Sequence, residues 1–392
     1  MLFLWIISLS LLGLYVLRII TYVIGWYRTG RLLKKQESWP GVSIVIPVRD
    51  EGSNIDLLLA DLVKQDYPVD LLEIILVDDH SGDSTRAKIK SFLEKHRGLR
   101  LIQLGSLETG KKAALEKGIS ASGHPLILNT DGDCRASKSW VSEMVAGFSD
   151  PEVKMIIGAV VFEPDKGIFH AMQSLEYFSL TASTAGSAGL NAPILCSGAN
   201  LAYYRDDYLE FIAEQEKVSE SGDDIFLLLW LKKRYPGAIR FSHSVGSVIR
   251  TLPSENFSSL IAQRVRWTSK SKYYRDFDIL STALLIFGLN AFMLSILLVF
   301  LLVPLFTGIW NPQFLLVFGI VLFCKSSVDL LILVPVLRHY HKTRLLRYFV
   351  PMEIIYLVYV SLAGLTGQFL SFSWKGRKIT ITAQNESLGD ER

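Results

Sequence analysis

The sequence predicts an α/β domain, a mostly parallel sheet covered on both faces, held at a membrane by one apolar helix before it and about three after it. Three observations carry this reading. Half of the 392 residues are hydrophobic and the mean hydropathy is +0.31, yet the excess is concentrated in Leu2–Ile24 and Ile279–Ser371. Between about Val42 and Tyr274, short apolar runs alternate with helical patterns and charge is spread throughout. Acidic residues recur where those runs end. A disordered chain, a disulfide-rich secreted module and a wholly soluble enzyme are all excluded.

A spanning helix needs about 20 apolar residues to cross a hydrocarbon core about 30 Å thick. Leu2–Ile24 satisfies this with Arg18 as its one charge. No basic stretch precedes the run and no small-x-small site follows it, so it does not read as a cleaved signal peptide. Arg18, Arg28, Arg31, Lys34 and Lys35 come at its end or after it. That bias places the following domain in the cytoplasm, at the inner or plasma membrane, with Arg18 snorkelling to that face. Three further spans are expected, at Ile279–Phe306, Phe314–Leu337 and Phe349–Ser371. The connection Thr307–Gln313 has no Lys or Arg and should face outward. The connection holding Arg338, Lys342, Arg344 and Arg347 should face inward. A third full span would carry Lys375, Arg377 and Lys378 outside, so either the last segment is re-entrant or the charge rule is weak there. Lys325, Asp329 and Glu353 lie in or near apolar spans. They read as an i,i+4 ion pair with a neighbour, or as a polar lining for a lipid or saccharide path.

The net charge of +3 gives no reason to expect nucleic-acid binding. Cys134, Cys196 and Cys324 are too few and too dispersed for a disulfide framework, and no Cys or His spacing suggests zinc. The expected organisation is a membrane helix at 1–27, a catalytic domain at 40–253, an interfacial segment at 254–277, membrane helices at 278–372 and a tail at 373–392.

Val42–Pro47 is a short apolar run bounded by Trp39-Pro-Gly41 and reads as a buried strand. A helix follows, with Ser53 as its expected N-cap. Glu73–Val77 is a second buried strand. Leu99–Leu104 is a third, followed by a helix over Lys111–Ala121. Pro125–Leu128 is a fourth, followed by a helix near Ser137–Phe148. Alternation with short links implies parallel strands, and ligands on such sheets bind beyond the carboxyl ends.

Those ends hold Asp50 and Glu51, Asp78 and Asp79, then Asp131 and Asp133. A single acidic pair there is most often a helix cap. Three converging on one rim call for a cation or a donor-rich ligand, and hard oxygen ligands suit Mg²⁺ or Mn²⁺ with a nucleotide. Gly105-Ser-Leu-Glu-Thr-Gly-Lys111 has the spacing of a phosphate-binding loop between a strand and a helix. Lys112 stands where that loop needs Ser or Thr, so an NTPase is disfavoured; Lys111 or Lys112 is left as a cation within reach of a diphosphate.

Ser43-Ile-Val-Ile-Pro-Val-Arg-Asp-Glu51, Val77-Asp-Asp-His-Ser-Gly-Asp-Ser84 and Thr130-Asp-Gly-Asp133 together resemble the family 2 inverting glycosyltransferases of the GT-A fold, whose sheet is Rossmann-like. The likeness extends through Cys196-Ser-Gly-Ala-Asn200, Gly222-Asp-Asp224 and Gln263-Arg-Val-Arg-Trp267. The last is similar to the Q-x-x-R-W signature of cellulose, chitin and hyaluronan synthases and of ceramide glucosyltransferases. The resemblance implies that Asp50 and Asp79 hold the uracil and ribose of a UDP-sugar, while Asp131 and Asp133 bind its diphosphate and metal. It further implies Asp224 as catalytic base, with Asp223 standing where the family more often has Glu. Gln263, Arg266 and Trp267 would close over the diphosphate and the acceptor, and Lys111 is placed with the donor. Ser197, Gly198 and Asp223, again with Trp267, are placed at the acceptor.

Without the resemblance, Asp224 reads as an early-turn helix charge before Ile225–Trp230, Trp267 as a membrane-interface anchor and Cys196–Asn200 as a tight bend. The expected function is a metal-dependent, inverting transfer of a hexose or N-acetylhexosamine from a UDP-sugar to a membrane lipid or a saccharide. The alternatives are a processive polysaccharide synthase and a catalytically inactive membrane scaffold or saccharide-binding protein.

Overall fold

The structure, a computed structural model, describes residues 1–29, 38–96, 98–165, 167–214, 223–366, 372–374 and 377–379. Arg31, Lys34, Lys35, Gly222 and Lys375 lie outside the described residues, as does the tail beyond residue 379. The apolar N-terminal run forms one helix, α1 (Leu2–Thr29).

The central sheet has seven strands. They are β1 (Val42–Val48), β2 (Leu72–Asp78), β3 (Leu99–Gln103), β4 (Leu126–Asn129), β6 (Met155–Ile157), β8 (Leu201–Tyr204) and β9 (Ile239–Phe241), in the order β3-β2-β1-β4-β8-β6-β9. β1 pairs in parallel with β2 and β4, and β2 with β3, as the alternating pattern predicts. β8 runs antiparallel to both β4 and β6. A second sheet places β10 (Ile249–Thr251) between β5 (Arg135–Ala136) and β7 (Val160–Phe162).

The crossover helices are α2 (Ile55–Leu62), α3 (Thr85–Leu93), α4 (Gly110–Ser120) and α5 (Trp140–Val145). Two expectations shift here. The Glu51 carbonyl accepts the N–H groups of both Asn54 and Ile55 at 2.9 Å, so Asn54 and not Ser53 precedes the helix. α5 starts late because Ser137 is tied to its neighbours: its hydroxyl donates to the Gly246 carbonyl and its own carbonyl accepts from Gln65.

The second half of the domain adds α6 (Gly167–Gly189), α7 (Arg205–Glu214) and α8 (Asp223–Arg234). α6 packs along α1 at very short range. A Cβ at Gly186 would stand 2.6 Å from the Tyr22 carbonyl oxygen, and one at Gly189 2.1 Å from that of Gly25. Only glycine permits that approach, and it makes α1 and the domain one body with a continuous apolar core.

The chain then passes through α9 (Phe257–Ser269) into α10 (Phe277–Thr307), α11 (Pro312–His339) and α12 (Phe349–Thr366). Asn256 caps α9 through a reciprocal box with Ser259. Four segments are long and apolar enough to cross a membrane: α1, α10, α11 and a stretch over Thr343–Leu362 that includes most of α12. Several of their polar residues pair between helices. Arg18 donates to the Ser281 hydroxyl at 3.0 Å, and Tyr22 pairs with Thr282 at 2.9 Å. Lys325 donates to Asp329 and Glu353, each at 2.7 Å, and the Tyr15 hydroxyl donates to Asp329. Of the two readings of these charges, the ion pair is the one present, and it clamps α1, α11 and α12 together.

After α12 the hairpin β11 (Phe372–Trp374) and β12 (Arg377–Ile379) begins, and β11 packs beside α9.

Candidate active site

β1 and β2 end side by side, and their following loops are stitched together by backbone N–H groups donating to carboxylates. Gly82 N–H donates to Asp50 at 2.8 Å, and Gly52 N–H donates to Asp83 at 2.8 Å. Asp50 adopts the left-handed conformation (φ 51°), which turns its side chain back across the rim. Asp79 is buried and accepts from Gly110 N–H at 3.0 Å. Arg49 bridges the two carboxylates, 3.6 Å from Asp50 and 3.5 Å from Asp79. Of the second acidic pair, Asp78 faces away and takes Ser81 N–H and Arg86. The loop Gly105–Lys111 is closed on itself by Glu108, which accepts from Gly105 N–H and Lys117. It is not an open phosphate cradle.

β4 delivers Asp131 and Asp133. Lys111, in the first turn of α4, donates to Asp131. Burial opposes the charge of Lys111, but Asp131 and Asp224 hold its ammonium above its ordinary value. Burial, then the neighbouring Asp131 and Glu51, push the Asp133 carboxyl above the usual carboxylate range. Crowded carboxylates of this kind fit a hard divalent cation. Among the described residues no group of three or more His, Cys, Asp or Glu side chains is placed to hold a metal alone. A two-carboxylate site suits Mg²⁺ or Mn²⁺ completing its shell from phosphate and water.

Asp223 and Asp224 open α8, where the helix dipole favours negative charge. Asp224 accepts from Gly198 N–H and Ile225 N–H, both at 2.9 Å, and Lys270 stands 3.9 Å away. Burial works against its charge, but Lys270, Lys111 and those N–H groups together hold it below the usual carboxylate range. Asp223 behaves oppositely. Burial, reinforced by Asp224, pushes it up to about 6 although Lys112 lies 3.8 Å away. Ser197 and Gly198 sit in the turn before β8. That turn is pinned by buried Asn200, which donates to the carbonyls of Ala159 and Ser247 and accepts from Trp140.

α9 brings the remaining residues. Arg266 is buried near Asp131 and Asp224, whose charges partly offset the cost of its burial. Gln263 accepts from Arg264, and Trp267 lies under the Arg264 guanidinium and edge-on to Tyr177. The structure thus gathers Lys111, Asp131, Asp133, Asp224 and Arg266 around one space, with Asp50 and Asp79 on the same rim. Sequence reasoning missed Arg49, Lys270, and the Arg264–Glu176 ion pair. Glu176 had a signal: it is the only Asp, Glu, Lys or Arg in the 23 residues of α6, and a charge in such a helix needs a buried partner.

A sheet of this order, with acidic residues at successive strand ends and a carboxylate facing them from α8, has the GT-A-like fold. Residues 43–211 match the family described as glycosyl transferase family 2, and the chain is a glycosyltransferase. It is 26% identical over 229 residues to glycosyltransferase AglE of Haloferax volcanii, covering 58% of this chain and 71% of that protein. It is 34% identical over 124 residues to the probable glycosyltransferase YdaM of Bacillus subtilis, covering 31% of this chain but only 29% of that one. Among solved structures, the mannosyltransferase PcManGT from Pyrobaculum calidifontis, in complex with GDP-Man and Mn²⁺, shares the fold. The TM-score is 0.55 at 19% identity, covering 92% of this chain and 99% of that chain.

Proposed function

We propose that this protein is an integral-membrane, inverting glycosyltransferase that moves a hexose or N-acetylhexosamine from a UDP-sugar onto the hydroxyl of a membrane lipid, with the catalytic domain in the cytoplasm. The observation that carries the reading is the position of Asp224. Its carboxyl is held below the usual carboxylate range and fixed by two backbone N–H groups, with Lys111 and Arg266 as neighbouring cations. The helix that supplies Arg266 leads directly into α10.

In this reading Asp224 takes the proton of the acceptor hydroxyl as its oxygen bonds to the anomeric carbon. The bond from that carbon to the diphosphate breaks on the opposite face, so configuration inverts. Arg266 and Lys111 are the cations of this chain nearest the departing diphosphate and favour its charge as it forms. Asp131 and Asp133 would hold Mg²⁺ or Mn²⁺, which when bound neutralises diphosphate charge. Asp50 and Asp79 fix the nucleoside. Trp267, Ser197, Gly198 and Asp223 border the acceptor, and Gln263 stands beside them on α9. The division into a catalytic domain at 40–253 and an interfacial segment at 254–277 follows the same reading.

The membrane helices support a lipid acceptor over a growing polysaccharide. With the domain cytoplasmic, α10 and α11 cross as a hairpin, while α12 returns to the face it left. That leaves α1, α10 and α11 as crossings among the described residues, few for a polysaccharide channel. Incubating the purified protein in lipid with labelled UDP-sugars, with and without a chelator, tests the proposal. Chelator-sensitive label in the lipid fraction supports it; a long water-soluble polymer sinks the lipid reading, and turnover of only GDP-sugars sinks the donor assignment.

A further inference from the structure

Arg264 occupies a position within Gln263–Trp267 that belongs to none of the signature residues, yet it makes the densest set of contacts there. It is 4% exposed. Its Nε and Nη2 donate to the two oxygens of Glu176 at 3.2 and 2.6 Å, and its Nη1 donates to Gln263 at 2.9 Å. The guanidinium lies 4.1 Å from the Trp267 ring centre, and Tyr359 of α12 is among its polar neighbours. One planar cation therefore contacts a helix of the domain and two of the three signature side chains, with the last membrane helix beside it. A guanidinium can do this because its donors fan out in one plane while its faces stay free to stack; an ammonium cannot.

We propose that Arg264 is the positioning residue that sets where Gln263 and Trp267 stand over the acceptor side of the site, and that it transmits the placement of α12 to them. It acts through those two side chains and has no contact with the reacting atoms. Glu176 is its fixed reference. The carboxylate is held on α6, which is itself locked to α1, so α9 takes its register from the rigid body of the protein. This role rests on the acceptor assignment above, but its structural half does not.

Two measurements on the full chain in nanodiscs separate those parts. Nitroxide labels at Ala262 on α9 and Asp206 on α7, in a background with the three cysteines replaced, give one narrow distance in the wild type. Arg264→Leu broadens it, Arg264→Lys broadens it less, and Tyr359→Phe, which removes one hydroxyl and leaves the buried ion pair intact, shifts it slightly. Kinetics with the nucleotide sugar and lipid that the wild type turns over show a loss of about a hundredfold in acceptor kcat/KM for Arg264→Leu, the scale of a small misplacement. The affinity for UDP with Mn²⁺ falls far less than the acceptor kcat/KM, and Arg264→Lys restores part of the loss. A wild-type distance distribution in Arg264→Leu overturns the proposal. So does a loss of UDP affinity equal to the loss in acceptor kcat/KM. A wild type without lipid glycosylation defeats the functional reading instead, and the distance measurement still tests Arg264.

Discussion

Lys270, one residue past the end of α9, stands 3.9 Å from Asp224 at the start of α8. The segment just after α9 thus supplies a counter-charge to the carboxylate proposed to accept a proton. Lys111 faces Asp224 from α4, Arg266 from α9, and Asp223, Cys196 and Tyr274 complete its surroundings.

A base held below the usual carboxylate range is ionised from acid to alkaline pH, and transfer needs it ionised. The acid limb of kcat/KM in the wild type therefore lies at low pH. Lys270→Met removes the largest of the influences that lower Asp224 and should move that limb to higher pH, leaving the plateau rate within a few-fold. An acid limb at the same pH in both proteins would show that Lys270 does not tune the base.

Asp224→Asn keeps the shape but cannot take a proton. Transfer should fall by about 10²–10⁴, the usual contribution of a general base. UDP binding, measured by calorimetry with Mn²⁺, should be retained. Near-normal turnover in this variant rules out Asp224 as the base.

Burial raises the Asp223 carboxyl to about 6 in the folded protein, against its ordinary value of 3.8. The folded state thus binds a proton more tightly than the unfolded chain between those values. Stability from this group is lost as pH rises from about 4 to about 6 and stays lost above. Asp223→Asn should match the wild type near pH 4 and exceed it above pH 6, by up to about 3 kcal/mol for two pKa units. Thermal unfolding in detergent from pH 4 to pH 8 reads this difference; a gap that does not grow with pH contradicts the assignment.

β11 beside α9 predicts that the chain after α12 lies on the catalytic side of the membrane. A reporter fused after residue 392 should be active or accessible only on the cytoplasmic side, like one inserted in the catalytic domain. An external reporter would mean that α12 crosses.

The parallel core of the sheet was legible because its strands are largely buried on both faces: Val42–Val48 is apolar but for Ser43, and Ile74–Val77 is an unbroken apolar run. The antiparallel β8 was not, since its four residues, Leu201–Tyr204, carry no signal of direction. The helix start after β1 moved by one residue because a backbone carbonyl, that of Glu51, decided it. Glu176 advertised a partner but could not name it: Arg264 lies 88 residues away.

By itself the sequence determined what depends on local order. Apolar runs of spanning length, acidic residues at strand ends and the segments Thr130–Asp133 and Gln263–Trp267 all follow from residue type and spacing. Only the tertiary structure decided which charges meet. Arg49 between Asp50 and Asp79, Lys111 on Asp131, Lys270 beside Asp224 and Lys325 between Asp329 and Glu353 are settled by packing. The contact of β11 with α9 was decided the same way. Hydropathy measures whether a helix can lie in a bilayer, whereas the side on which the chain emerges depends on what its far end packs against, here α9.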